Sequence, residues 1–237
     1  TVEEVLTILD KSGLKPQFDG GADLIWTADR GDNGRRWIVF SRGGTVREYS
    51  TMDRGFVMAV CSIDSPFPEL ANKAEQIRRN EKGFWEAVFE GNIRMTHIPG
   101  GEFLHRMGYR EKQIIIDPYW IGTVPVTYEQ YDHFCEARGF YKPEDRDGER
   151  GQLPVVKINY DDAITYSQWL SEKLNLSFQL PTSAQWEKAA AGPKGNRYPW
   201  GMAEPDDSLA NFATRTGRIV KVGQYPDGAS HYGCLDM

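Results

Sequence analysis

The stretch LPTSAQWEKAAAG, residues 180–192, carries the signals of a helix at both of its ends. Thr182 is followed three residues later by Gln185. This is the spacing of a capping box, in which each of the two side chains bonds to the backbone N–H of the other residue. Gly192 closes the stretch, and glycine readily takes the left-handed conformation that ends many helices. The stretch therefore predicts a short helix between Thr182 and Gly192.

Two stretches further upstream carry the same signals. Thr127 and Gln130 have the spacing of a capping box, and Gly139 follows at the distance of a short helix. Asn159 and Asp162 open a third stretch, in which apolar residues recur at helical spacing. The sequence therefore predicts three capped helices in succession.

The beginning of the chain combines a helix signal with strand signals. Thr1 and Glu4 form a further capping box, and Gly13 offers a helix stop. Residues 24–61 contain short runs rich in β-branched and aromatic residues, separated by turn residues, which predicts a meander of antiparallel strands. Residues 1–61 are too few for a stable core of their own. We therefore expect them to pack on the rest of the chain or on another chain.

The remaining segments differ in composition. Residues 62–92 contain a proline-rich break and then a mostly polar run with a sparse apolar stripe, which predicts a helical connector. Residues 193–237 are dominated by Gly, Pro, Asn and Asp, which predicts ordered loops around short strands. Long loops on a compact domain are commonly functional surfaces.

The overall composition is that of a globular protein. Hydrophobic residues make up 40% and charged residues 26% of the chain, and the formal net charge is -6. An acidic chain has no general attraction to nucleic acids, so no nucleic-acid partner is expected. No apolar run reaches the roughly 20 residues that span a bilayer, so no membrane span is expected. The compartment, bacterial cytoplasm or cell surface, and the oligomeric state stay open.

The three cysteines do not predict a catalytic or redox site. Cys61, Cys135 and Cys234 include no CxxC pair. Cys135 shares an apolar helix face with Tyr131 and Phe134, which indicates a packed thiol, and Cys61 ends an alternating apolar strand. The four histidines lack the spacing of metal ligands. No catalytic residue is predicted.

Three aromatic residues are candidates for a ligand-binding groove: Trp26, Tyr198 and Trp200. Tyr and Trp combine a flat apolar face with one polar group, which suits them to ligand contacts. The alternative is that these residues anchor the core and the loops.

Seven motifs in order resemble those of the sulfatase-modifying-factor family, also called the formylglycine-generating-enzyme-like domain. They are IPGGEF (98–103), YWIGTVPVTYEQYDHF (119–134), LPVVKINYDDAITYSQWLS (153–171), LPTSAQWEKAAAG (180–192), YPWG (198–201), AN (210–211) and VGQYPDGASHYGCLDM (222–237). The resemblance covers about residues 93–237. It implies an α+β fold of the C-type-lectin-like class, irregular, with long loops and short antiparallel strands.

Residues 1–61 more weakly resemble the closing half of a bacterial C-type-lectin-like domain found in adhesins. The predicted organisation is thus a C-terminal part of a lectin-like domain (1–61), a helical connector (62–92) and a sulfatase-modifying-factor-like domain (93–237). Whether the outer two portions form one domain or two stays open.

The resemblance also bears on cofactors. Family members often bind calcium through oxygen ligands, and Asn211 matches one contributing position. Active members of the family perform a copper-assisted oxidation with paired cysteines in a segment that follows the motif LDM, and this sequence ends with that motif at Met237. The resemblance therefore implies calcium as a candidate, and copper only for an oxidase.

Three functions follow from the sequence. The leading prediction is a non-catalytic module that binds a small ligand or a protein through loops on a C-type-lectin-like scaffold, a variable-display protein being one form of it. The first alternative is a formylglycine-generating oxidase acting on a cysteine of a target protein. The second is a sensor or regulatory portion of a larger multidomain protein.

Overall fold

The structure is a computed structural model, and it describes most of the chain after residue 70. The described residues are 24–30, 35–40, 46–50, 60–61, 70, 72–107, 110–145, 149–212 and 216–237. For residues 24–61, and for 107 and 110, the backbone alone is described. The helix predicted over residues 1–13 lies outside the described residues.

The three capped helices are confirmed. They are α1 (Tyr128–Arg138), α2 (Tyr160–Leu174) and α3 (Ser183–Ala191). Each begins with a complete capping box, at Thr127, Asn159 and Thr182 respectively. In each case the predicted pair of side chains satisfies two backbone N–H groups that the first helical turn leaves free.

The cap of α3 gives a direct test of this local design. The hydroxyl of Thr182 accepts a hydrogen bond from the backbone N–H of Gln185 at 3.2 Å. We expect Thr182→Ala to lower the free energy of unfolding by about 1 kcal/mol, because the substitution frees that N–H group. Urea denaturation measures the change. The control is Thr165→Ala inside α2, where alanine is the better helix former and no loss is expected.

The strands form three sheets. The predicted meander is confirmed as an antiparallel sheet of β1 (Leu24–Arg30), β2 (Arg35–Phe40) and β3 (Val46–Ser50). A hairpin of β8 (Gly101–Met107) and β9 (Arg110–Ile116) is a sheet of its own. The largest sheet has six antiparallel strands: β4 (Val60–Cys61), β5 (Gln76–Arg79), β6 (Trp85–Phe89), β7 (Ile93–Ile98), β10 (Tyr119–Gly122) and β11 (Phe178–Gln179).

The six-stranded sheet has the order β11-β4-β10-β7-β6-β5. Strand β4, from the first portion of the chain, pairs with both β10 and β11. The antiparallel strands and the helices that pack on them confirm the predicted α+β class.

The helix predicted for the connector is wrong over the residues that the structure describes. Strands β5 and β6 lie in this segment and pair as an antiparallel hairpin at the edge of the large sheet. Trp85, Ala87 and Phe89 alternate along β6 and point toward the core, which is the period of a strand. Gly83, with a φ of 82°, turns the chain between the two strands and is incompatible with a continuous helix.

The large sheet is packed on both faces. On one face, Ala87, Met95 and Trp120 pack with residues of α1 and α2. On the other face, Ile98, Tyr119 and Ile121 pack with α3 and with the end of the chain. The sheet therefore fixes α3 and the terminal loops on the face opposite to α1 and α2.

The segment after α3 is ordered loop, as predicted, but the short strands predicted within it are absent from residues 193–212 and 216–237. Over residues 193–212 and 216–237, the regular structure is one short 3-10 helix, Pro226–Gly228. A Cβ atom at Gly228 would lie 1.8 Å from the carbonyl oxygen of Leu209, so two loops approach too closely for any other residue. Within the described residues, no helix has the length and apolar character that crossing a membrane requires.

Candidate functional site

A cleft opens between α3, the β8–β9 hairpin and the loop that follows α3. Its volume is about 40 Å³, and its lining combines apolar and polar side chains. It is lined by Arg106, Trp186, Glu187, Ala190, Ala191, Asn196, Arg197, Tyr198, Pro199 and Met237. Three separate parts of the sequence therefore meet at the cleft.

Glu187 connects two of these parts. Its carboxylate is buried and forms a hydrogen bond with Nδ1 of His105 on β8. The same carboxylate accepts the backbone N–H of Arg106, at 2.9 Å and 3.2 Å to its two oxygens. A buried carboxylate requires such partners, because loss of hydration is otherwise uncompensated. Glu187 therefore fastens the hairpin to α3.

Two more polar contacts come from the same turn of α3. The hydroxyl of Tyr119 on β10 donates to the carbonyl oxygen of Gln185 at 2.5 Å. The ammonium group of Lys188 is buried and donates to the carbonyl oxygen of Gly101 at 3.3 Å. Burial lowers the pKa of Lys188. The wall of the cleft is thus held by polar contacts as well as by apolar packing.

The rim of the cleft carries two guanidinium groups. Arg106 donates to Glu111 at 2.9 Å and to the carbonyl oxygen of Asn196 at 3.3 Å. Arg197 donates to Glu204 at 2.8 Å. Each guanidinium is held in place by an acidic neighbour and keeps further N–H groups for a ligand, because arginine has five donors. The rim suits a ligand that carries hydrogen-bond acceptors.

Two of the three predicted aromatic residues come together beside the cleft. The residues from Tyr198 to Gly201 form a tight turn closed by backbone hydrogen bonds of 2.9 Å and 3.0 Å. In this turn the rings of Tyr198 and Trp200 stack, with centroids 5.3 Å apart and planes 4° apart. Tyr198 lines the cleft, and its hydroxyl donates to Glu204 at 2.9 Å. Trp26 lies on β1, where the structure describes the backbone alone.

The comparison with known families decides the classification. The profile of the sulfatase-modifying factor enzyme 1-like domain matches residues 86–237, which is more than half of the chain. The chain belongs to this family. The match begins inside the segment predicted as a connector, so β6 is part of the domain.

Several curated relatives share this domain. The chain is 28% identical over 186 residues to a hercynine oxygenase of Mycolicibacterium smegmatis, covering 59% of this chain and 42% of that protein. It is 40% identical over 88 residues to a hercynine oxygenase of Mycobacterium tuberculosis, covering 35% and 19%. It is 32% identical over 102 residues to a formylglycine-generating enzyme of Mycobacterium tuberculosis, covering 38% and 31%. The matches span less than half the length of each of these relatives.

The cysteines of this sulfatase-modifying-factor-like chain are packed thiols where their side chains are described. Cys135 and Cys234 are both buried and free. Burial raises the pKa of Cys135, and it raises the pKa of Cys234 to about 12. Cys135 packs on the face of the large sheet that contacts α1 and α2, and Cys234 packs on the face that contacts α3. The two thiols therefore lie on opposite faces of the large sheet and do not form an adjacent pair.

The side chain of Asn211, the predicted calcium ligand, forms its hydrogen bonds with residues of its own loop. The side-chain oxygen of Asn211 accepts the hydroxyl of Thr216 at 2.8 Å, and its amide donates to the carbonyl oxygen of Arg218 at 3.0 Å. Within the part of the chain that the structure describes, no three carboxylate, imidazole or thiol side chains are grouped to hold a metal ion. Calcium at Asn211 stays a prediction.

Sequence reasoning did not identify the hydrogen bond between Glu187 and His105. The two residues are 82 positions apart, and neither has a motif that points to the other. The one local signal is a charged pair, Glu187 and Lys188, inside a helix that is otherwise largely apolar.

Proposed function

We propose that the sulfatase-modifying-factor-like domain of this chain is a non-catalytic binding module on a C-type-lectin-like scaffold, with the cleft beside α3 as its contact surface. The observation that carries the proposal is the cleft itself, whose lining combines apolar side chains with two arginines and a tyrosine. Its volume is about 40 Å³, so it suits one side chain or one small group of a larger ligand.

The rigidity of the cleft supports a binding role. Its wall is fixed by the buried carboxylate of Glu187, which bonds to His105 and to the backbone N–H of Arg106, and the turn that carries Tyr198 is closed by backbone hydrogen bonds. Preorganised contact residues lose little conformational entropy when a ligand binds. The chemistry of the thiols agrees with this role, since burial keeps the described thiols of Cys135 and Cys234 protonated at neutral pH.

The proposal is tested with random dodecapeptides displayed on phage and selected on the full chain. Peptides that occupy the cleft are expected to bind Tyr198→Ala about tenfold more weakly than the unchanged chain, because the variant removes an aromatic contact at the rim. Affinities are measured by calorimetry with the selected peptides made synthetically.

The matched control is Tyr141→Ala. Tyr141 is fully exposed and lies in the loop after α1, away from the lining of the cleft, so its replacement is expected to leave binding unchanged. Urea denaturation establishes that both variants are folded. Selected peptides that bind Tyr198→Ala as tightly as the unchanged chain would contradict the assignment of the cleft.

The second candidate function is an enzyme, and the names of the relatives favour it. Two of the relatives described above are named hercynine oxygenase and one is named formylglycine-generating enzyme. Incubation of the chain with copper and a cysteine-containing peptide, followed by mass spectrometry for the aldehyde product, tests the oxidase. Turnover by the chain would overturn the non-catalytic proposal.

The third candidate, a regulatory portion of a multidomain protein, rests on the length of the relatives. The matches span less than half of each relative described above, so those proteins contain residues beyond the part that matches this chain. Binding in the cleft is compatible with this role and with the first.

A further inference from the structure

The β8–β9 hairpin is a two-stranded sheet, and the outer edge of its first strand is covered. The backbone N–H of Arg106 on β8 donates to the carboxylate of Glu187 on α3 at 2.9 Å. The carbonyl oxygen of Leu104 faces the loop after α3, since a Cβ atom on Gly195 would lie 3.4 Å from it. The outer edge of β8 therefore lies against α3 and the loop that follows it.

The outer edge of β9 is open. In an antiparallel pair, residues that bond across the pair alternate with residues whose backbone groups face outward. Arg106 lies opposite Glu111, and its N–H bonds to Glu187, so Glu111 and the alternate residues Gln113 and Ile115 face outward from β9. Within the part of the chain that the structure describes, these three residues form no backbone hydrogen bond outside the hairpin. The edge is thus available to a further strand.

The second half of β9 lacks the features that usually protect such an edge. Proteins block open edge strands with charged residues, prolines or β-bulges. The first half of β9 is charged, with Arg110, Glu111 and Lys112, but Gln113 and three isoleucines follow. The register with β8 runs without a bulge, and the side chain of Ile115 is 77% exposed. A regular, uncharged edge with an exposed apolar side chain favours pairing with another strand.

We propose that β9 pairs antiparallel with β9 of a second copy of this chain, so that two hairpins form one four-stranded sheet. The two-fold axis lies at Ile114, and Gln113 lies opposite Ile115 of the partner subunit. Both of these residues face outward, so each such pair exchanges both of its N–H···O bonds. Because Arg106 on the neighbouring strand lines the cleft, the dimer presents two clefts. The proposed interface does not depend on the function of the cleft.

The sequence of β9 is complementary to itself in this register. Lys112 lies opposite Ile116 of the partner subunit, so its aliphatic stem packs on an apolar side chain. The two copies of Lys112 are four residues apart along the paired strands, about 13 Å, which exceeds the screening length at physiological salt. The side chains of Ile115 from the two copies are diagonal neighbours, which are within reach of each other. Apolar groups therefore meet and like charges do not, which favours a second copy as the partner.

The test is sedimentation equilibrium of the full chain over a range of concentrations, with a reversible monomer–dimer equilibrium as the expected result. Ile115→Lys is expected to weaken dimerisation about 100-fold, because each copy loses an apolar contact and gains a charge near the same charge of its partner. The matched control is Tyr141→Lys, which places the same charge at a fully exposed aromatic residue of the loop after α1 and is expected to leave dimerisation unchanged.

A second variant removes a backbone donor from the open edge alone. Gln113→Pro deletes an N–H group that faces away from β8, so the ladder of the hairpin is expected to persist. Dimerisation is expected to weaken about tenfold, because each copy loses one hydrogen bond across the interface. Urea denaturation establishes that the variants are folded.

Cross-linking tests the register. Ile114→Cys is expected to form a disulfide-linked dimer on oxidation, because the two-fold axis places the new cysteine opposite its own copy. The unchanged chain, oxidised in the same way, is the control. A chain that stays monomeric up to about 1 mM would overturn the proposal. So would a dimer that neither Ile115→Lys nor Gln113→Pro weakens, because that dimer would form through another surface.

Discussion

Replacement of Glu187 by alanine is expected to lower the free energy of unfolding by about 3 kcal/mol, the order of effect of leaving two buried polar groups without their hydrogen-bond partner. The variant leaves the buried imidazole of His105 and the backbone N–H of Arg106 without their acceptor. It also frees the β8–β9 hairpin from α3, so faster amide hydrogen exchange is expected in the hairpin than in the large sheet. Urea denaturation and hydrogen-exchange mass spectrometry measure the two effects.

The matched control is Glu172→Ala. Glu172 forms an ion pair with Arg138, but its side chain is 68% exposed, against 6% for Glu187. An exposed pair contributes little, so the control is expected to lose less than about 1 kcal/mol. Glu187→Gln keeps an acceptor for Arg106 and is expected to fall between the two. An alanine variant as stable as its control would show that the pair does not hold the hairpin.

The sequence was sufficient for the features that depend on neighbouring residues. The three helices were predicted because each capping box involves side chains only three positions apart, such as Thr182 and Gln185. The packed environment of Cys135 was predicted because Tyr131 and Phe134 lie on the same helical face. The ordered loops were also predicted, from local composition. Tyr198 and Trp200 were singled out by their residue types, and the structure shows that their rings stack.

The error in the connector has a physical cause. The run from Phe84 to Phe89 contains apolar residues at both helical and strand spacing, so periodicity alone does not distinguish the two structures. Pairing with β7 decides in favour of a strand, because that pairing buries Ala87 and Phe89 under the helices. Tertiary packing, and not the intrinsic preference of the residues, therefore decides that this segment is a strand.

The cleft was only partly accessible to sequence reasoning. Tyr198, predicted from its residue type as a ligand-groove candidate, lies in the lining of the cleft, whereas Arg106 and Glu187 were not predicted. Their roles arise because the hairpin folds back on α3 and joins residues that are about 80 positions apart in the chain. A charged residue inside a helix does not reveal its partner until the packing of the whole domain is known.

The core on the opposite face of the large sheet supports β10, the strand that contacts α3 beside the cleft. Phe134 of α1 is buried at the centre of an aromatic cluster, with ring centroids 5.1 to 5.6 Å from those of Tyr131, Tyr166 and Trp169. The cluster joins α1 to α2 and belongs to the core that includes Trp120 on β10. Because β10 also contacts α3 through Tyr119, this core supports the strand on which the cleft wall rests.

Phe134→Ala is therefore expected to lower the free energy of unfolding by about 4 kcal/mol, the sum of lost burial and an unfilled cavity. The control is Tyr141→Ala, an aromatic truncation at a fully exposed residue of the loop after α1, with an expected change within about 0.5 kcal/mol. Urea denaturation compares the two variants. If Phe134→Ala lowered the free energy of unfolding no more than its control does, the aromatic cluster would not stabilise the domain. A large loss accompanied by faster hydrogen exchange in β10 would show that the two faces of the sheet depend on each other.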